Sequence, residues 1–166
     1  ACGIPARMGA YVEISAEMTN ASRRKVVVVA VDDDFRVRES IESLVESAGY
    51  EPELFASGEE FLKSGTLALA ACVITDVRMP GMDGIELQRR IRFERPTLPV
   101  IFISAHENAD VRKIALNEGA VDFLYKPFNA ADLLEKVRTA LITVHNSFAK
   151  LPRVFPRGGE RCLILT

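Results

Sequence analysis

In Val26-Val27-Val28-Val29-Ala30-Val31-Asp32-Asp33-Asp34, six apolar residues, five of them valine, run without interruption into three carboxylates. A strand with one wet face alternates apolar and polar side chains, so an unbroken β-branched run marks a strand covered on both faces, as in a parallel sheet. Directly after it, Val37, Ile41, Leu44, Val45 and Ala48 recur at helical spacing over Phe35 to Ala48. Asp34 stands in the capping position and Gly49 in the terminating one.

The pattern continues outward. Tyr50 to Phe55 reads as a strand, and Pro52, which has no N–H to donate, places it at a sheet edge. Ser57 and Glu60 form a capping box for a short helix reaching about Lys63. Strands are then expected at Ala71–Thr75, Val100–Ser104 and Val121–Tyr125, with helices at Ile85–Arg92, Ala109–Glu118 and Ala130–Val144. Strict alternation of strand and helix implies parallel strands joined by right-handed crossovers, hence an α/β, doubly wound, five-stranded parallel sheet. The first, third and fourth strands are the most apolar and belong in the centre. The second and fifth, which carry Glu51, Pro52 and Asp122, belong at the edges, giving the order 2-1-3-4-5.

Composition narrows the functional classes. A chain of 166 residues suits one domain with tails. With 48% hydrophobic and 27% charged residues it is not dominantly disordered. Its 21 basic residues against 23 acidic ones argue against binding nucleic acid mainly through phosphates. Cys2, Cys72 and Cys162 offer neither a disulfide framework nor zinc-ligand spacing. No apolar stretch approaches the roughly 20 residues that span a bilayer, and no secretory signal opens the chain, so a cytoplasmic location without membrane contact is expected. Residues 1–23 read as a leader, flexible or in part added by cloning ahead of a natural start at Met18; residues 24–145 read as the domain; residues 146–166, with two prolines and four basic residues, read as a tail or linker stub. Nothing after His145 has the pattern of a DNA-binding domain, so no DNA binding is expected of this chain itself.

In an open parallel sheet, ligands bind beyond the carboxyl ends of the strands, where strand order reverses. With the order above, that point lies between the first and third strands. Asp32-Asp33-Asp34, Asp76, Ser104 and Lys126-Pro127 all fall at strand ends on this rim. Crowded carboxylates repel unless a cation is supplied, and an all-oxygen set with room for water suits Mg²⁺ or Mn²⁺. A carboxylate beside such an ion and a lysine is a nucleophile placed to accept a phosphoryl group as an acyl phosphate. Met79 and Met82 read as turn and packing residues, Asp83 as a helix cap, and Gly84 and Gly119 as backbone devices.

From about Lys25 to Val144 the chain resembles the receiver domain of bacterial two-component response regulators. The resemblance rests on Asp32-Asp33, on Asp76-Val77-Arg78-Met79-Pro80-Gly81-Met82-Asp83-Gly84, on Ser104-Ala105 and on Lys126-Pro127-Phe128. Around Pro99 to Lys126 it is most similar to receivers of nitrogen-fixation and LuxR-type regulators. It implies a flavodoxin-like fold and a phosphoacceptor switch in place of an enzyme. Asp76 would be the phosphoacceptor. Asp33 would bind the metal directly, Asp32 largely through water, and the Arg78 backbone carbonyl would be a further ligand. Lys126 would pair with a phosphoryl oxygen, Ser104 would supply the switch hydroxyl, and Phe123 occupies the aromatic switch position where many members have tyrosine. The family commonly has a cis bond at the position of Lys126-Pro127. Arg78 and His106 flank the pocket and would affect how long the phosphoryl group survives.

The implied partners are a sensor histidine kinase and a second copy of the chain, docked through the face of the fourth helix, fifth strand and fifth helix. Output would be transcriptional in a longer parent. Two other readings compete. The Asp-x-Asp spacing of Asp32 and Asp34 suits a haloacid-dehalogenase-like phosphatase, but leaves Asp76 and Lys126 without a role. A receiver fold that only docks partners, independently of phosphate, would not need the intact acidic pair, aspartate, hydroxyl and lysine.

Overall fold

The computed structural model describes residues 25–149; the expectations for the leader 1–23 and for residues beyond 149 lie outside these. Strands β1 (Val27–Val31), β2 (Glu51–Phe55), β3 (Ala70–Asp76), β4 (Val100–Ser104) and β5 (Asp122–Tyr125) alternate with helices α1 (Phe35–Ser47), α2 (Gly58–Ser64), α3 (Gly84–Glu94), α4 (Ala109–Asn117) and α5 (Ala130–Ala149). All pairings are parallel and the order is β2-β1-β3-β4-β5, as the apolar content of the strands predicts.

The continuous apolar run of β1 is explained by two cores. Val29 and Val31 face one core with Phe61, Leu87, Ile91, Phe102 and Phe123, beneath α2, α3 and α4. Val28 and Ala30 face the other with Ile41, Val45, Leu133, Val137 and Ala140, beneath α1 and α5. Each large side chain withdrawn from water in this way contributes about 1.5–3 kcal/mol against the entropy of ordering the chain. Because both faces are filled, β1 has no position where a polar side chain is tolerated until the strand ends at Asp32.

Local signals set most boundaries. The Asp34 side chain accepts from the Arg36 N–H and caps α1, Ser57 accepts from the Glu60 N–H at α2, and Asp83 accepts from the Glu86 N–H at α3. The Glu60 carboxylate reaches back to the N–H of Ala56, not of Ser57, so the predicted capping box closes one residue earlier than the standard form. Three boundaries differ more noticeably from the sequence reading. A single 3-10 turn, Thr66–Ala68, leads into β3, which begins at Ala70 and runs through Asp76. Helix α3 starts at Gly84 and runs to Glu94, because the Asp83 cap sits one residue ahead of it. Helix α5 continues to Ala149, past the expected end at Val144.

The register places the site. Val31 lies opposite Thr75, Asp76 opposite Ile103 and Ser104 opposite Tyr125. The residues at or just past these strand ends, Asp32, Asp76, Ser104 and Lys126, therefore arrive on one rim.

Candidate functional site

Asp32 follows the last residue of β1 and is only 1% exposed. Its backbone N–H continues the ladder to the Phe55 carbonyl at 3.1 Å. One carboxylate oxygen, Oδ1, accepts from the Asp34 N–H at 2.8 Å, which tightens the turn into α1. The other, Oδ2, accepts from Lys126 Nζ at 2.7 Å. Asp33, beside it, is exposed. Asp76 closes β3; its Oδ1 lies 3.2 Å from Lys126 Nζ and its Oδ2 accepts from the Arg78 N–H at 3.1 Å. Carboxylate oxygens of Asp32, Asp33 and Asp76 lie within 4.8 Å of one another. The predicted acidic cluster is thus assembled from residues 44 apart in sequence (76 minus 32), with Lys126 bridging two of its members.

The electrostatics follow from this crowding. Burial pushes the Asp76 carboxyl above its ordinary value, the Lys126 ammonium pulls it back, and the neighbouring Asp32 charge raises it again, leaving it raised. For Lys126, burial disfavours the ammonium, but the hydrogen bond and charge of Asp32, together with Asp76, more than reverse it and hold the lysine above its usual range. One ammonium therefore serves two carboxylates, with a third, Asp33, in the same cluster. The donor set is all oxygen and open to solvent on the Asp33 side, which fits a hard divalent ion that retains water, such as Mg²⁺ or Mn²⁺.

Ser104 ends β4 and is buried; its hydroxyl donates to the His106 carbonyl at 3.0 Å and accepts from the His106 N–H at 3.1 Å, closing the first turn of the β4–α4 loop. Lys126 is carried to the site by β5: its N–H donates to the Ser104 carbonyl at 2.7 Å, and the following bond to Pro127 is cis. Phe123 is turned inward, 4% exposed, stacked on Phe102 with ring centroids 6.0 Å apart and tilted against Tyr125 at 5.2 Å. The side chains of Arg78 and His106 are exposed. Met79 and Met82 are buried among core residues, as packing residues should be.

Over residues 28–138 the sequence matches the response regulator receiver domain. The chain belongs to that family. Among its relatives is the response regulator protein TodT of Pseudomonas putida, 38% identical over 137 residues that make up 82% of this chain and 60% of that protein. Another is the transcriptional regulatory protein FixJ of Bradyrhizobium diazoefficiens, 36% identical over 69% of this chain and 56% of that protein. This receiver chain spans little more than half the length of these curated relatives. Its fold superimposes on a response regulator receiver domain protein of Clostridium thermocellum with a TM-score of 0.70 and 28% identity, covering 74% of this chain and 98% of that one. Family membership disposes of the dehalogenase-like reading. Among the described residues of this receiver, no helix is long and apolar enough to cross a membrane.

Several contributors to the receiver site escape a reading of sequence. Arg38, one turn into α1, donates from Nη1 to the Asp32 carbonyl at 2.6 Å and lies over the Phe35 ring, 5.8 Å from its centroid. Thr75 donates its hydroxyl to the Asp76 carbonyl at 3.0 Å. Glu59 reaches the Met82 N–H at 2.9 Å. All three look like ordinary strand or first-turn helix residues in sequence, and only their spatial neighbours reveal the contacts. Gly84 is an exception that sequence could flag: a Cβ there would fall 2.2 Å from the Asp76 carbonyl oxygen and 3.0 Å from Phe102, so only glycine lets α3 start against the end of β3.

Proposed function

We propose that this receiver accepts a phosphoryl group on Asp76 from the phosphohistidine of a sensor kinase, and that the modified aspartate biases the conformation of the rim. The observation that carries this is the bridging of Asp32 and Asp76 by Lys126 within an all-oxygen acidic cluster. Asp32, Asp33, Asp76 and the Arg78 carbonyl would hold the divalent ion, which when bound neutralises charge between the carboxylates and the phosphoryl oxygens. An Asp76 carboxylate oxygen attacks phosphorus, the phosphorus–nitrogen bond to the kinase imidazole breaks with its electron pair returning to nitrogen, and an acyl phosphate remains. The Lys126 ammonium, 3.2 Å from Asp76 in the resting site, is placed to pair with an incoming phosphoryl oxygen.

Switching would follow from the added charge, about −1.5 to −2 at neutral pH. A phosphoryl group on Asp76 competes for the Ser104 hydroxyl, which in the resting state is held by the backbone of His106. Departure of Ser104 from His106 loosens the β4–α4 loop, and Phe123, packed behind Phe102, is the ring available to follow. The output face is that of α4, β5 and α5, which would serve a second copy or an effector region in a longer cytoplasmic parent with transcriptional output. The chain is read as a switch whose own chemistry is limited to gaining and losing the phosphoryl group.

The test is labelling by acetyl phosphate, or by a sensor kinase, with Mg²⁺ present. Wild-type protein is expected to gain one hydroxylamine-labile phosphoryl group by intact mass, and Asp76→Asn none. Undiminished labelling of Asp76→Asn would reject the assignment, and a wild-type protein that binds Mg²⁺ but never labels would favour a docking module.

A further inference from the structure

The loop between β3 and α3 carries Arg78, whose carbonyl is proposed above as a metal ligand, and the structure shows how that loop is fastened. At its start the Val77 N–H donates to the Ile103 carbonyl at 3.1 Å and the Arg78 N–H to Asp76 Oδ2 at 3.1 Å; at its close the Gly84 N–H donates to the Val77 carbonyl at 2.9 Å. Between these ends, residues 79–82 make one hydrogen bond to another element among the described residues: the Met82 N–H donates to Glu59 Oε1 at 2.9 Å. The fit is close on every side. A Cβ on Gly81, whose φ of 79° already favours glycine, would come within 2.8 Å of the same Glu59 oxygen, and a Cβ on Gly58 within 3.1 Å of Met82 Sδ. Hydrogen bonds from its own N–H and from that of Met82 hold the Glu59 carboxyl below the usual glutamate range, against a smaller opposing effect of burial.

We propose that Glu59 is a positioning residue for the phosphoryl-transfer site: from the first turn of α2 it fastens the backbone at Met82, just past Gly81, and so holds the β3–α3 loop in the shape that presents the Arg78 carbonyl to the cation. The proposal rests on the metal-assisted reading of the site given above. Glu59 touches neither the cation nor the phosphoryl group. It acts by removing the loop's freedom before the ion arrives, so that ordering the loop is not charged against binding. What matters is the acceptor oxygen; the negative charge is secondary.

The experiment compares the wild-type chain with Glu59→Ala and Glu59→Gln. Mg²⁺ affinity is measured by calorimetric titration with magnesium chloride, and the initial rate of acetyl-phosphate labelling is followed as Mg²⁺ is varied. Glu59→Ala is expected to weaken Mg²⁺ binding about tenfold, the lower end of the effect of residues that orient metal ligands, and to move the Mg²⁺ dependence of its labelling rate to correspondingly higher concentrations. Glu59→Gln, which keeps the acceptor oxygen, is expected to retain wild-type affinity. Wild-type affinity in Glu59→Ala overturns the proposal, and so does equal weakening in Glu59→Gln, which would mean that charge and not the clasp is at work. A wild-type chain that fails to bind Mg²⁺ at all removes the underlying reading of the site, a result distinguishable from either.

Discussion

Replacing Asp76 with asparagine should make the metal-free protein more stable. At an effective dielectric of about 20, the Lys126 ammonium 3.2 Å away attracts the Asp76 carboxylate by about 5 kcal/mol. The carboxylate of Asp32, within 4.8 Å, repels it by about 3.5 kcal/mol or more on the same scale, and exposed Asp33 adds a share that solvent screens. These contributions nearly cancel. What remains is the cost of holding a carboxylate at 7% exposure, the same cost that raises its pKa. Asparagine keeps the shape and an acceptor for the Arg78 N–H without the charge. The expected gain in the presence of EDTA at pH 7 is about 1–2 kcal/mol, or about 3–8 °C in the unfolding midpoint. A carboxyl whose folded pKa is raised carries no penalty below its unfolded pKa, accrues one as pH rises through the folded pKa, and bears it fully above. The gap between variant and wild type should therefore be present at neutral pH and close on acidification. Mg²⁺ should reverse the ranking, since saturation at a hundredfold over Kd adds about 2.7 kcal/mol to the protein that binds it. Urea unfolding in EDTA and in Mg²⁺ measures both. A metal-free Asp76→Asn variant less stable than wild type at pH 7 would mean that Lys126 outweighs burial and repulsion, the opposite of the balance worked out above.

Two further outcomes follow from packing. Gly84→Ala drives a methyl group to 2.2 Å from the Asp76 carbonyl oxygen, a backbone atom that cannot swing aside; it should cost about 2–3 kcal/mol in urea unfolding and slow acetyl-phosphate labelling about a hundredfold by displacing Asp76, the proposed phosphoacceptor. Cys72 is fully buried, and burial pushes its thiol up to about 12; peptide mass mapping should find it unmodified by iodoacetamide in native protein and alkylated in urea.

The acidic cluster was legible because its parts are punctuation. Asp32 and Asp76 terminate apolar runs, and the topology rule brings the ends of β1 and β3 together without any knowledge of side-chain contacts. Lys126 was legible for the same reason, at the end of β5. Glu59 and Arg38 were not, because an acid in the first turn of α2 and a base one turn into α1 are what any solvated helix would carry. Thr75 was hidden in a strand, where threonine is common. The 3-10 turn before β3 was missed because Thr66-Leu67-Ala68 has neither a helical nor an alternating period long enough to read.

The parallel sheet, its strand order and the membership of the acidic rim are readable from the order of residues, since apolar periodicity and strand ends are one-dimensional properties written into the chain. How those groups are shared emerges in three dimensions: Lys126 spans Asp32 and Asp76, Ser104 is tied to His106, and Glu59 holds the loop after Asp76 at Met82. Such pairings depend on distances of about 3 Å between atoms many residues apart, and only packing sets distances of that kind.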